Sequence, residues 1–325
     1  MIRRRLLLLL LASCLVVGCG GRVDTSDTTD SPNRIAYTVL DQGYGEIWIM
    51  DADGSNARRV TQPEPAGSDG DGAKNPALSP DGTRIAYVST GDAVEGWDGD
   101  LELHVVGVDG GEPRRLTDDG RPDRDPAWSP DGRRIAFTHY VGPADSVIEI
   151  IDADGGNRRT LTTGTQSGPT VSNPTWSPDG EQIAFARTVP GTEGPISAAL
   201  YVVDAAGGDE RLVVEDALSP AWSPDGTQLA FVKYHQVYSD ECSLTCGIHV
   251  VNVDGTDLRR LTEPVAFDTA PAWSPDGTEI VFMSDRTGHD GNGKWGWELY
   301  VVDVDGSDLR RLTTNDIWDG DPDWR

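Results

Sequence analysis

Apolar residues in this chain come in short alternating runs, not in helical stripes. Ile85-Ala86-Tyr87, Ile135-Ala136-Phe137, Ile183-Ala184-Phe185, Leu229-Ala230-Phe231 and Ile280-Val281-Phe282 are each followed by a second run. Leu200 to Asp204 and Leu299 to Asp303 are the clearest of these. Runs of this length, rich in β-branched and aromatic residues and bounded by Gly, Pro or Asp, predict strands. No segment has the 3.6-residue period of an amphipathic helix.

The runs belong to a repeat. Ser-Pro-Asp-Gly recurs at Ser79, Ser129, Ser177, Ser223 and Ser274, preceded by Leu78 once and otherwise by Trp128, Trp176, Trp222 and Trp273. An Asp-Gly or similar turn follows the second run, at Asp53, Asp109, Asp154, Asp254 and Asp305. Arg-Arg-Leu-Thr comes last, as at Arg114 to Thr117, Arg259 to Thr262 and Arg310 to Thr313. Each unit of about 49 residues holds four strands, here labelled A to D outward from an axis. Four strands at this period predict propeller blades. The Asp-Gly pairs supply the left-handed positions that tight hairpins need, so their carboxylates are structural first.

The ends fix the count. The chain enters the repeat at Arg34-Ile35-Ala36-Tyr37, a B strand with no A strand before it. Strands C and D of that unit are expected at Ile47 to Asp51 and Arg58 to Thr61. Asp321-Pro322-Asp323-Trp324-Arg325 matches Asp125 to Ser129 and is an A strand. The expected fold is all-β, a six-bladed propeller over residues 34–325, with the C-terminal strand completing the first blade. Closure of this kind removes open sheet edges. Trp128, Trp176, Trp222, Trp273 and Trp324 recur at one place per blade and are expected to pack between blades. Full burial of such a ring is worth roughly 2–3 kcal/mol.

Ahead of the repeat, Arg3 to Arg5 form a basic segment and Leu6 to Val17 an apolar one too short to span a bilayer. Residues 1–18 therefore read as a signal peptide. Val16-Val17-Gly18-Cys19 resembles the bacterial lipobox, which makes Cys19 the expected lipidation site; Leu11-Ala12-Ser13-Cys14 is a competing match. Residues 19–33 are small and polar, a tether that reaches roughly 50 Å when extended. Cys242 and Cys246 remain as an even pair in an oxidising compartment, so a disulfide is expected, worth about 2 kcal/mol before strain. A metal site with His235 and His249 is the alternative. Loss of Arg3, Arg4 and Arg5 with the signal takes the formal charge from −27 to −30. Such acidity argues against nucleic acid and against an anionic bilayer as partners, and leaves the lipid as the membrane contact.

Pro-x-Trp-Ser-Pro-Asp-Gly, then Ile-Ala-Phe, then Leu-Tyr-Val-Val-Asp and Arg-Arg-Leu-Thr together resemble the propeller repeat of the TolB-like family. The resemblance covers about residues 34–325. It implies a propeller that binds a protein partner by its channel mouth. Members of the family include envelope scaffold proteins; similar propellers gate some serine peptidases, and related ones are lyases with a metal in the channel. No α/β domain of the TolB kind is expected before this propeller.

Hairpin logic sorts the connections onto two faces. The A–B and C–D turns are short and uniform. The B–C and D–A loops lie on the other face, are long, and differ between blades, as expected of a working face. Partner-binding residues are expected there: Trp97 in blade 2, Tyr234 and His235 in the B–C loop of blade 5, Trp295 and Trp297 in blade 6, and Trp318 before the last strand. Residues before each A-strand proline should ring the channel mouth: Asn75, Asp125, Asn173, Ser219, Ala270 and Asp321. With Asp123, Asp268 and Asp319 just upstream, they form either a hydrated acidic funnel or a Ca²⁺ site resting on Asp125 and Asp321. There is no Gly-x-Ser-x-Gly, no His-Glu-x-x-His and no phosphate loop. The expected protein is a non-enzymatic, monomeric lipoprotein that binds envelope proteins without a cofactor. Gly20 after Cys19 would put it on the periplasmic side of the outer membrane of a Gram-negative cell. The alternative is a small-ligand or metal-binding propeller, such as a channel-metal lyase using His139 or His235, or a sensor partner of a peptidase.

Overall fold

The computed structural model describes residues 33–41, 43–62, 72–90, 101–142, 145–162, 170–189, 197–237, 243–286, 296–315 and 317–325. The signal, lipidation and tether expectations, with Cys14 and Cys19, lie outside these. The described residues form six antiparallel four-stranded sheets, each ordered A-B-C-D, with no helix. In blade 1 the order is Trp318–Trp324, Arg34–Asp41, Tyr44–Asp51, Arg58–Arg59. The last strand of the chain therefore closes the ring beside the first. Arg34 and Arg325 exchange both backbone hydrogen bonds, at 2.7 and 3.0 Å.

The turns show why the motif repeats. In Ser79-Pro80-Asp81-Gly82, Asp81 Oδ1 accepts the Ser79 hydroxyl at 2.6 Å and the Thr83 N–H at 3.0 Å, while Ser79 Oγ accepts the Arg84 N–H at 2.9 Å. The Ser79 hydroxyl holds the Asp81 carboxyl below its ordinary range, and the hydroxyls of Ser129, Ser177, Ser223 and Ser274 do the same for Asp131, Asp179, Asp225 and Asp276. Much of the chain's acid is thus spent on making turns.

Strand D is shorter than the sequence pattern predicts, two residues in five of the blades. The threonine of Arg-Arg-Leu-Thr, or its equivalent, replaces the ladder. Thr61, Thr117, Thr162, Thr262 and Thr313 each take a strand-C backbone N–H on their hydroxyl at 2.9–3.0 Å. Blade 4 has Val213 and Val214 there, and its D strand runs on as a ladder over Arg211–Glu215.

The core is not one mass but six clusters, one per blade interface. Between blades 3 and 4, for example, Ala136, Ile148 and Ile150 meet Trp176, Ile183 and Phe185. The predicted tryptophans are the wedges, from 2% exposed at Trp128 to 9% at Trp222. The indole N–H of Trp128, Trp222 and Trp273 donates to a strand-A carbonyl of the preceding blade: Ala77, Thr175 and Ala221, at 3.0–3.2 Å. At the blade 1–2 interface Gly45 and Gly72 form a parallel bridge. Gly72 has φ +72°, and a Cβ there would stand 2.4 Å from the Gly45 carbonyl oxygen.

Trp176 lacks an indole hydrogen-bond partner among the described atoms, so its contribution is packing and the Arg134 guanidinium 4.7 Å over its ring. Trp176→Ala should cost about 3–5 kcal/mol in equilibrium denaturation. An unchanged midpoint would show that the interface repacks without the ring.

Candidate functional site

The six A strands line a central cavity of about 410 Å³. Asn75, Asp125, Asn173, Ser219, Ala270 and Asp321 all contribute to its wall. Each has φ between +48° and +52° and forms a bulge against strand B. Proline disfavours a helical conformation in the residue before it, and Asn and Asp tolerate the left-handed region best. Four of the six are Asn or Asp, a signal for the bulge that was legible in the sequence. The lining continues to Pro80, Pro130, Pro178, Pro224 and Pro275, so the cavity occupies the short-turn end of the channel.

The ring carboxylates are held in a repeated way. Asp125 Oδ2 accepts the Thr138 hydroxyl at 3.0 Å and the Asn173 N–H of the next blade at 3.3 Å. Asp321 is likewise bonded by Thr38 and by the Asn75 N–H. Burial and then the Asp125 charge push Asp321 up to about 6. Among the described residues no three His, Cys, Asp or Glu side chains stand close enough to hold a metal ion.

The acids upstream of the ring do not converge on the channel. Asp123, Asp268 and Asp319 are wholly buried and absent from the cavity lining. The bulge turns the ring residue inward and leaves these three against neighbouring strands. Asp268 binds Ser284 and Arg286, and Asp123 faces His139 Nδ1 at 2.8 Å. Asp319 binds Asn315, and burial followed by the Glu298 charge pushes it up to about 7.

On the long-loop face, Trp297 and Trp318 come together with residues the sequence did not single out. The Asp319 N–H donates to the Trp297 carbonyl at 2.9 Å, and the Trp297 ring lies 6.5 Å from that of Phe267. Trp318 and Met283 cover Gly320; a Cβ on Gly320 would stand 2.5 Å from the indole and 2.7 Å from the sulfur. Val265 nearby in sequence is 74% exposed. Trp97 and Trp295 lie outside the described residues. Tyr234 and His235 are strand residues instead of loop residues: strand B of blade 5 runs Gln228–Val237, and they pair with Cys246 and Thr245. The alternating pattern simply continues past Lys233. Cys246 is buried within strand C and has no disulfide partner among the described residues, and burial pushes its thiol up to about 12. Cys242 lies outside the described residues, so the bridge between them stays an expectation. His249 packs in the strand, 5.7 Å from Phe231.

A closed ring of six four-stranded antiparallel sheets with a lined axial cavity defines a six-bladed β-propeller. The model of the TolB beta propeller domain matches residues 139–325, and the chain belongs to that family. It is 30% identical over 286 residues to tricorn protease homolog 1 of Streptomyces coelicolor, covering 86% of this chain but 23% of that protein. It is 37% identical over 62 residues to the Tol-Pal system protein TolB of Bordetella pertussis, which is 19% of this chain and 13% of that one. The chain therefore spans under a quarter of either relative. The crystal structure of TolB from Acinetobacter baumannii superposes with a TM-score of 0.68 at 21% identity, covering 90% of this chain and 66% of that one.

The closing strand makes stability depend on pH. Asp319 at about 7 and Asp321 at about 6 both lie above the ordinary 3.8, so the folded chain holds protons that the unfolded chain releases. Their contribution is complete below pH 3.8 and is lost as pH rises through 6 and 7. The turn aspartates act oppositely, and lose their contribution only as pH falls below the ordinary carboxylate range. The melting temperature should therefore fall from about pH 5 to about pH 8, and Asp319→Asn should flatten that slope. A melting temperature that rises across this interval would contradict the assignment.

Proposed function

We propose that this protein is an exported, non-catalytic envelope propeller that binds a protein partner through its long-loop face. The Trp297–Phe267 ring pair carries the proposal, with Trp318 on the neighbouring strand, because partly exposed aromatics where loops vary are the composition of interface hot spots. The Tol-Pal system protein among its relatives makes the cell envelope the natural setting.

The test is crosslinking capture from envelope extract, with the tag placed in residues 20–33 and Trp297→Ala/Trp318→Ala as the comparison. One protein captured by the parent and lost with the double variant is the expected result. Equal capture by both would move the interface away from this cluster. The Ca²⁺ alternative at Asp125 and Asp321 has its own measurement: a melting temperature unchanged by Ca²⁺ and by EDTA is expected and removes the ion, and a rise with Ca²⁺ that EDTA reverses would restore it.

A further inference from the structure

The cavity at the short-turn end is separate from the loop face, and its wall is not symmetric. In five blades the residue after the strand-A proline is small: Ala77, Ala127, Thr175, Ala221 and Ala272. Blade 1 departs from the repeat and places Asp323 there, with Asp321 on the ring two residues earlier. Asp125 joins them from blade 3, while blades 4 to 6 offer uncharged Asn173, Ser219 and Ala270 across the channel. One side of the cavity is thus acidic and the other neutral.

The acid is only partly answered from within. Among the described lining residues Arg325 is the one cation, and its Nε stands 4.0 Å from Asp323 Oδ2 with a half-exposed side chain. Lys74 and Arg124 act on Asp321 and Asp125 from outside the lining. Asp323 Oδ2 accepts the Leu78 N–H at 2.6 Å, which fixes the carboxylate in place with 22% of the side chain exposed. Removing carboxylates from water is costly unless a cation meets them. The entrance is apolar: Pro130, Pro178, Pro224 and Pro275 are exposed around it. An apolar collar over a one-sided acidic wall suits a cation with a carbon skeleton better than a bare ion. The volume of 410 Å³ is that of a small-molecule pocket.

We propose that this cavity binds an organic cation, an alkylammonium or guanidinium group, which enters past the proline rim and places its charge against Asp323 and Asp321. The group has two natural sources, a free polyamine or a Lys or Arg side chain of a peptide, and the chemistry is shared.

The test is calorimetric titration of the purified protein at pH 8 in physiological salt with spermidine, with argininamide and with an acetylated Gly-Arg-Gly amide. Asp323→Ala is the decisive variant, because it gives blade 1 the residue that four other blades already carry. Asp323→Asn, which keeps the shape and the Leu78 bond, covers the case in which the alanine variant unfolds. Asp109→Asn, at a side chain 94% exposed on a remote turn, controls for the general acidity of the chain. Saturable binding is expected, weakened about tenfold or more by either Asp323 variant and within about twofold of the parent for Asp109→Asn. Preference for spermidine or for the peptide then identifies the source. Absence of binding, equal weakening by all the variants, or binding of Ca²⁺ alone would overturn the proposal. Trp297→Ala is without effect in this assay, so failure here and failure of the loop-face interface are distinguishable.

Discussion

Ring closure is the constraint on which the molecule depends. A four-stranded blade is too thin to bury both its faces, and each finds cover only on a neighbour. Six clusters of side chains therefore sit between blades, and the one at the seam is completed only by the last strand. Trp324 and Ile35 meet Val281 and Leu299 across the seam, so the first and last parts of the chain share one core cluster. The seam is sealed by the same devices that hold the other interfaces, a buried tryptophan and backbone pairing. Trp324 adds an indole bond to Asn33.

That seam also carries the chain's electrostatic tension. The closing strand Trp318–Trp324 holds Asp319, Asp321 and Asp323, and burial raises all three above the ordinary carboxylate range. Elsewhere the aspartates work for the fold, in turns where hydroxyls and backbone N–H groups stabilise their charge. Here they work against it, because Asp319 is removed from water and Asp321 and Asp323 are partly so. At the place of Asp323 the other blades carry a small uncharged residue instead: Ala77, Ala127, Thr175, Ala221 or Ala272.

The two faces follow from the hairpin logic and divide the possible roles. Short turns of fixed sequence form one end, rimmed by prolines around the cavity. Long unequal loops form the other, where Trp297, Phe267 and Trp318 gather. The membership in the TolB beta propeller family fits both uses, because the fold supplies a frame and leaves chemistry to the positions that vary.

The amino-acid sequence by itself determined the strands, the repeat, the number of blades, the closing strand and the tryptophan wedges. Each of these is written locally and six times over, in alternation, turn residues and spacing. It also determined the ring, since a residue before proline at a fixed place in every blade must occupy one level of the axis. Only the tertiary structure decided which carboxylates face the channel. Asp123 and Asp125 are two residues apart, and strand alternation alone would give them one face. The bulge at Asp125 breaks that alternation, sending one inward and burying the other beside His139. Only the tertiary structure could bring Phe267 to Trp297, or set Asp323 against an otherwise neutral wall. The first joins residues far apart in the chain and the second joins separate blades, and no local pattern encodes either distance.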